Sequence, residues 1–359
     1  MAVLVTYYGH ANSFWQPAAS SGVMGRDAQL VVEARVGDEW LVTDERWRVL
    51  RSRAWRALGP GQSLDAVPVE LLDAREFDPS WVELEFDDSS WVAATVLKAS
   101  HDGAFGESRP PVDPYGAMLP RDIGILGGSR VVAPSVTLQT APAVSDLPDH
   151  PAERLVQQLR EAGEQRTVQL PLTVARDQDV VTLVTVNFGR IVAGHVELEV
   201  DAPRGIRLDM FYQESAHYDA IAGLVDSAPR SSASYITRGS ADHYKAVDIN
   251  GLRQIFLMIP PGAGEVTVRD IAVSEYHYPF TGGAAFSSSD PELDRLYQAG
   301  IRTTQMNSFD AFIDCPTREQ RAWVGDGLVQ CTLSPTRTGG WPVTTSPWAP
   351  HRAQTACCR

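Results

Sequence analysis

Between residues 179 and 268 the chain is written in short apolar runs separated by turn residues, and this pattern leaves few choices of architecture. Residues 179–186 alternate in part and residues 193–200 alternate well, which is the period of a strand with one buried face. Residues 205–212 follow the turn Pro203-Arg204-Gly205, and residues 255–259 and 265–268 extend the series. Successive short strands with such turns predict a β-sandwich that closes near residue 280.

The residues before this block are also β-rich. Residues 28–36 and 39–43 are strand-like runs around the turn signal Gly37-Asp38, and Trp47, Trp55, Trp81 and Trp91 punctuate the segment. Phe86-Asp87-Asp88-Ser89-Ser90-Trp91 followed by Val92-Ala93-Ala94-Thr95-Val96 is a turn, an aromatic and a strand. This arrangement resembles the jelly-roll sandwiches called galactose-binding-like domains, with Trp91 as a core plug. A Pro-rich connection at residues 109–114 and a short helix within residues 149–163 complete the reading. The expected divisions are a first sandwich over residues 1–126, entered partway through, and a second over residues 127–282.

The pattern changes at Gly282-Gly283. Ser287-Ser288-Ser289-Asp290-Pro291 offers a polar cap and then Pro in the first turn, which is a helix start. Leu293, Leu296, Tyr297, Ile301 and Met306 follow at helical spacing, so a helix is expected to about Phe309. Directly after it comes Asp314-Cys315-Pro316-Thr317-Arg318-Glu319-Gln320-Arg321-Ala322-Trp323-Val324-Gly325-Asp326. Asp314, Glu319 and Asp326 bring three carboxylates together with Arg318, Arg321 and Trp323. Cys315-Pro316 favours extended or turned backbone, and Gly325 would permit a tight approach. Carboxylates that bind hydroxyls beside a Trp that covers an apolar ring face suit a sugar site, and glycoside hydrolysis needs a carboxylic acid of raised pKa. On spacing alone, a solvated face or an ion-pair cluster remains the commoner meaning of such a run.

The motif Asp-Cys-Pro-x-Arg-Glu-x-Arg-x-Trp-x-Gly-Asp resembles the signature of bacterial α-L-rhamnosidases, inverting glycoside hydrolases with an (α/α)6 barrel. Val186-Asn187-Phe188-Gly189-Arg190 with Gly194-His195-Val196 resembles the Asp-Phe-Gly segment of that family's sandwich domain, with Asn187 where Asp is common. Tyr235-Ile236-Thr237-Arg238-Gly239 fits as well. The resemblance covers residues 1 to about 327. It implies a mainly β chain with two β-sandwich (jelly-roll-like) domains, followed by the first helices of an incomplete (α/α)6 barrel over residues 283–327. It further implies Glu319 as the general acid, Asp314 and Asp326 as ligands of rhamnose hydroxyls, Arg318 as an orienting cation and Trp323 against the sugar ring. The family's base is a Glu from much later in the barrel, so the 359 residues alone are expected to be inactive.

The remaining features narrow the partners. The formal net charge is −14, and lysine occurs only at Lys98 and Lys245, which argues against nucleic acid. Rhamnose-containing glycosides or oligosaccharides are the expected partners. No signal peptide and no run of eighteen apolar residues is visible, so a cytoplasmic protein without a membrane span is expected. No phosphate loop, Ser-His-Asp pattern, zinc spacing or calcium-ligand run is legible, so neither cofactor nor metal is expected. Residues 328–359 hold three of the four cysteines and no acidic residue, and read as a shifted reading frame. The competing function is a non-catalytic carbohydrate-binding β-sandwich protein, which would leave the run from Asp314 to Asp326 without a task.

Overall fold

The computed structural model describes residues 1–6, 30–58, 69–96, 124–214, 231–239, 241–280, 285–317, 320 and 322–333. The chain divides into two units, Met1–Arg53 with Glu76–Pro120, and Ala54–Arg75 with Arg121–Arg359. It is mainly β, with one large mixed sheet and few helices.

In the first unit β1 (Glu33–Val36) and β2 (Glu39–Val42) form an antiparallel hairpin. Gly37 makes the turn in the left-handed region at φ 63°, which glycine adopts without a Cβ clash. A short strand β3 (Arg48–Val49) follows. The chain then supplies β4 (Trp55–Leu58) and β5 (Val69–Asp73) to the second unit and returns as β6 (Val92–Ala93), which pairs with β3. Trp91, expected as a core plug, is half-buried and lies outside the buried core. It meets Phe86 edge to face at 5.6 Å, and the Trp47 indole N–H donates to the Val42 carbonyl at 2.9 Å.

The second unit adds β7 (Arg130–Val132), β8 (Ser135–Pro142), β9 (Arg166–Val168), β10 (Leu172–Ala175), β11 (Val180–Asp201), β12 (Arg207–Gln213), β13 (Ser232–Ile236), β14 (Asp242–Lys245), β15 (Asn250–Ile259) and β16 (Glu265–Glu275). With β4 and β5 they make a sheet of twelve strands, in which the main path runs β10-β16-β11-β15-β12-β13-β5-β4. All its pairs are antiparallel among the described residues except β5 with β13.

The 22-residue strand β11 organises this sheet. Its first part, residues 180–187, lies between β8 and β15, and residues 194–201 pair with β16 and, in part, β14. The β8 pairing ends at Asn187, while β15 stays paired through Val192–Gly194 after a register shift between Asn187 and Val192. There the Asn187 side chain accepts the Gly189 N–H at 2.8 Å, and Gly189 takes φ 73°. Asn and Asp make this turn through the same kind of side-chain oxygen, so either residue would serve at position 187. Gly194 is required by close approach, since a Cβ there would stand 2.0 Å from the Ser274 carbonyl oxygen.

A sheet with one wet face alternates buried and exposed residues, yet β12 is buried at six consecutive positions. The reason is the helix Pro151–Leu159, which lies on the second face. Its Ala152, Leu155, Val156 and Leu159 pack on Val181, Leu183, Phe211, Phe256 and Met258. Each large apolar side chain so buried stabilises the fold by about 1.5–3 kcal/mol. The helix is also tied electrostatically. Fully buried Asp209 accepts from Arg154 at 2.7 Å, from Arg207 at 2.8 Å and from the Ser234 hydroxyl at 2.5 Å. Among the described residues, no helix is long and apolar enough to cross a membrane.

Candidate active site

The helix Pro291–Met306 starts where the sequence predicts. Asp290 caps it by accepting the Glu292 N–H at 2.9 Å, Pro291 occupies the first turn, and Glu292 and Asp294 complement the helix dipole. It stops at Met306, with Asn307 as the C-cap, three residues short of the expected end. Of its residues only Thr304 and Met306 are buried, and Leu296 is 69% exposed.

Its last turn is docked on the second unit. Met306, Phe309 and Ile313 form a core cluster with Leu126 and Ala193, bordered by Ile191, Ile249, Tyr276 and Tyr278. Arg302 donates to the Ile191 carbonyl at 3.0 Å and pairs with Glu275. Burial alone would push the Glu275 carboxyl up, but hydrogen bonds from His277 and Arg302 outweigh it and hold the group below its usual value. The same contact with Glu275 raises His277.

The candidate site residues follow this anchor directly. Asp314 is half-buried, and the Cys315 thiol donates to it at 3.3 Å. The residue before it, Ile313, has both backbone groups engaged. Its N–H donates to the Asn307 carbonyl at 2.9 Å, and its carbonyl accepts the side-chain amide of Gln330 at 2.7 Å. Two residues after it, the buried Pro316 presents its carbonyl to the Gly251 N–H at 3.0 Å and to the Gln320 side-chain amide at 2.9 Å. Gln320 also reaches the Ile249 carbonyl at 2.9 Å from a backbone at φ 51°, a conformation uncommon for a residue with a Cβ. Thr317 donates to the Gly251 carbonyl at 2.9 Å and contacts the Glu214 carboxylate.

The segment receiving these contacts, residues 246–251, is held from its other end. The Val247 N–H donates to Glu70 of β5 at 3.0 Å, and His195 donates through Nδ1 to the Ala246 carbonyl at 3.0 Å. Glu70 also accepts from the Trp55 indole at 3.0 Å and the Tyr244 hydroxyl at 3.2 Å. Burial pushes its carboxyl up to about 7.

Trp323 is 48% exposed, and Asp326 lies exposed in the first turn of the helix Val324–Leu333. Asp326 stands one turn before Gln330, so the two share a helix face, and Gln330 is the residue bonded to the segment carrying Asp314. Gly325 does not make the tight approach expected of it. A Cβ there would meet nothing within 4 Å, because its helix face is open. Arg318 and Glu319, the orienting cation and the general acid implied by resemblance, lie outside the described residues, as does the tail from residue 334. The sequence reading passed over Thr317, Gln320, Gln330, Gly251 and Glu214. Thr317 and Gln320 stand inside the motif as polar residues, which was the available signal, whereas Gly251 and Glu214 are known only through tertiary contact. No group of three or more His, Cys, Asp or Glu that could hold a metal occurs among the described residues.

Residues 282–339 match the family described as the bacterial alpha-L-rhamnosidase 6 hairpin glycosidase domain. No curated protein matches the chain. The fold is similar to that of the GH78 family rhamnosidase of Bacillus sp. GL1, with a TM-score of 0.64 and 15% identity over 84% of this chain and 50% of that one. It is also similar to the alpha-L-rhamnosidase from Dictyoglumus thermophilum, with a TM-score of 0.53 and 18% identity over 82% of this chain and 27% of that one. For the Streptomyces avermitilis alpha-L-rhamnosidase complexed with L-rhamnose the TM-score is 0.55, with 16% identity over 84% of this chain and 24% of that one. The chain thus spans half the length of the first of these structures and about a quarter of the other two. β domains with the fold of these rhamnosidase structures thus lead into a segment, residues 282–339, that matches the bacterial α-L-rhamnosidase six-hairpin family.

Proposed function

We propose that the chain is part of an α-L-rhamnosidase-like glycoside hydrolase that removes terminal non-reducing α-L-rhamnose with inversion. The observation that carries this is the coincidence of the Asp314-to-Asp326 motif with the matched six-hairpin segment. In this reading the β units precede the first helices of an (α/α)6 barrel. Glu319 protonates the departing glycosidic oxygen, Asp314 and Asp326 bind sugar hydroxyls, Arg318 orients a carboxylate or hydroxyl, and Trp323 covers the ring. The half-exposed indole of Trp323 and the exposed carboxylate of Asp326 are in keeping with these roles.

Inversion requires a second carboxylate that activates water on the far face of the ring, about 6.5–9.5 Å from the acid. By the family resemblance that base is a Glu from later in the barrel, so the 359 residues alone are inactive. The test is hydrolysis of an aryl α-L-rhamnoside. The 359-residue chain should release no aglycone, and the chain continued through a whole barrel should release it. In the latter, Glu319→Gln should cut the rate on the order of 10²–10⁴-fold. An unaltered rate in that variant removes Glu319 from the role of acid.

A further inference from the structure

We propose that Gln320 and Gln330 are positioning residues that bracket Asp314 and fix its backbone against the helix carrying Asp326. The inference rests on the glycosidase reading of Asp314 and Asp326, and goes beyond it by naming what holds them. Asp314 and Cys315 are the two residues between Ile313 and Pro316, and each of those neighbours gives its carbonyl to a glutamine side chain. Gln330 reaches Ile313 from the helix Val324–Leu333, at 2.7 Å and out of contact with water. Gln320 reaches Pro316 and the Ile249 carbonyl at 2.9 Å each, so one amide ties the motif to the large sheet. The backbone between the two glutamine bonds therefore has little freedom to translate, and its side chains inherit that restriction.

A packing role alone does not account for Gln330. Its Oε1 is buried and has no hydrogen-bond partner among the described residues, as is true of the nearby Asn307 Oδ1. An unpaired buried amide oxygen carries a desolvation cost, which a methionine of similar shape would avoid. The N–H bond to Ile313 is what the amide adds. For Gln320 the corresponding cost is its left-handed backbone, held at φ 51° while its side chain spans two carbonyls.

The test uses the reactivity of the Cys315 thiol, which lies within the bracket, in the 359-residue chain with Cys331, Cys357 and Cys358 replaced by serine. Gln330→Met and Gln320→Met should each raise the modification rate at least about 10-fold while the melting temperature of the large sheet stays within a few degrees. Gln330→Glu supplies a readout that packing would not move. Protonated, its carboxyl donates to the Ile313 carbonyl as the amide does; ionised, it repels that oxygen. Its rate relative to the parent, compared at each pH, should be near one at pH 4 and rise toward the Gln330→Met value by pH 8. Unchanged rates in both Met variants, or a pH-independent ratio for Gln330→Glu, overturn the proposal. If a Met variant fails to fold, the pH ratio in Gln330→Glu decides alone. The thiol readout involves no sugar, so failure of the glycosidase reading, seen as unaltered hydrolysis after Glu319→Gln in the barrel-complete protein, registers separately.

Discussion

Replacing Glu70 with glutamine should remove the loss of stability that the second unit suffers between acid and neutral pH, although it gives up one of the three hydrogen bonds that the carboxyl accepts. Burial pushes the Glu70 carboxyl from 4.5 to about 7. Asp248 nearby adds to the rise, and the donors Val247, Trp55 and Tyr244 pull it back only in part. An acid whose folded-state pKa lies above its unfolded value holds its proton more tightly in the fold. Its stabilisation is therefore complete below about 4.5 and is lost as pH rises through about 7. At about 1.36 kcal/mol per pKa unit, the shift corresponds to roughly 3 kcal/mol. The residue keeps partial exposure, so this is an upper figure. Glutamine has nearly the shape of the neutral acid and does not ionise, but its single oxygen can serve only one side: kept toward Val247 and Tyr244, it leaves the amide NH2 facing the Trp55 N–H. The assay is urea unfolding of both proteins from pH 4.5 to 8.5. The lost hydrogen bond sets a pH-independent offset of about 1–3 kcal/mol against the variant, and on top of it the stability difference, variant minus parent, should rise by about 2–3 kcal/mol between pH 4.5 and pH 8. Glu275 and His277 titrate in both proteins and cancel in the difference. A difference that stays flat, or that falls as pH rises, would refute the reasoning.

Other substitutions probe the anchor of the candidate site. A Cβ on Gly251 would stand 2.4 Å from Pro316 Cγ and 2.8 Å from Thr317 Oγ1, so Gly251→Ala should cost about 1–3 kcal/mol. The increase in hydrogen exchange should centre on residues 313–317. Glu275→Gln leaves the largely buried Arg302 without its charge partner and should lower stability by about 3 kcal/mol at pH 7. The folded-state pKa of Glu275 is depressed, so its contribution is present above the ordinary carboxylate range and fades as pH falls through the lowered value. The Glu275→Gln deficit, followed by thermal melting, should therefore shrink in acid. Leu155→Ala opens the fully buried contact between the helix Pro151–Leu159 and the sheet, with an expected loss of about 2–5 kcal/mol in chemical unfolding.

Local chemistry was legible in the sequence where neighbours along the chain decide the outcome. Gly37 turns a hairpin, Asp290-Pro291 opens a helix, and the apolar alternation of residues 193–200 places a strand. The separate alternating runs at residues 179–186 and 193–200 predict two strands, whereas β11 is one, with Asn187 and Gly189 between the runs. A register shift between Asn187 and Val192 lets the one strand absorb that turn. Nothing local marks Val69-Glu70-Leu71-Leu72-Asp73 as an inner strand of the large sheet. Two of its five residues are acidic, and they are satisfied by Trp55, Tyr244 and Val247, and by Arg75, which are contacts of the finished fold. Within the motif, the residue types Asp, Trp and Arg carried the reading. The bonds of Gln320 and Gln330 depend on carbonyls of Ile249 and Ile313 that no spacing rule brings near. The helix Val324–Leu333 likewise runs across the change of composition at Gly327, since a helix responds to its own propensities and not to the loss of acidic residues.

The parallel pairing of β5 with β13 has a consequence for how the second unit assembles. Its register matches Ala233 with Glu70 and Ile236 with Asp73, partners drawn from distant stretches of the chain. Closing so large a loop carries an entropic cost that neighbouring hairpins avoid, and contacts of this kind slow folding. The β4–β5 ribbon has no template until β13 has joined β12, so it is expected to arrive late. Until it does, the edge of β13 offers unpaired backbone groups to any strand, including one from another copy of the chain. Arrival of β5 brings Glu70 to the Val247 N–H, so the segment that grips the motif gains its second support only in this last step. Dilute refolding should therefore recover the ordered Asp314 segment with better yield than concentrated refolding, where the open edge competes for partners.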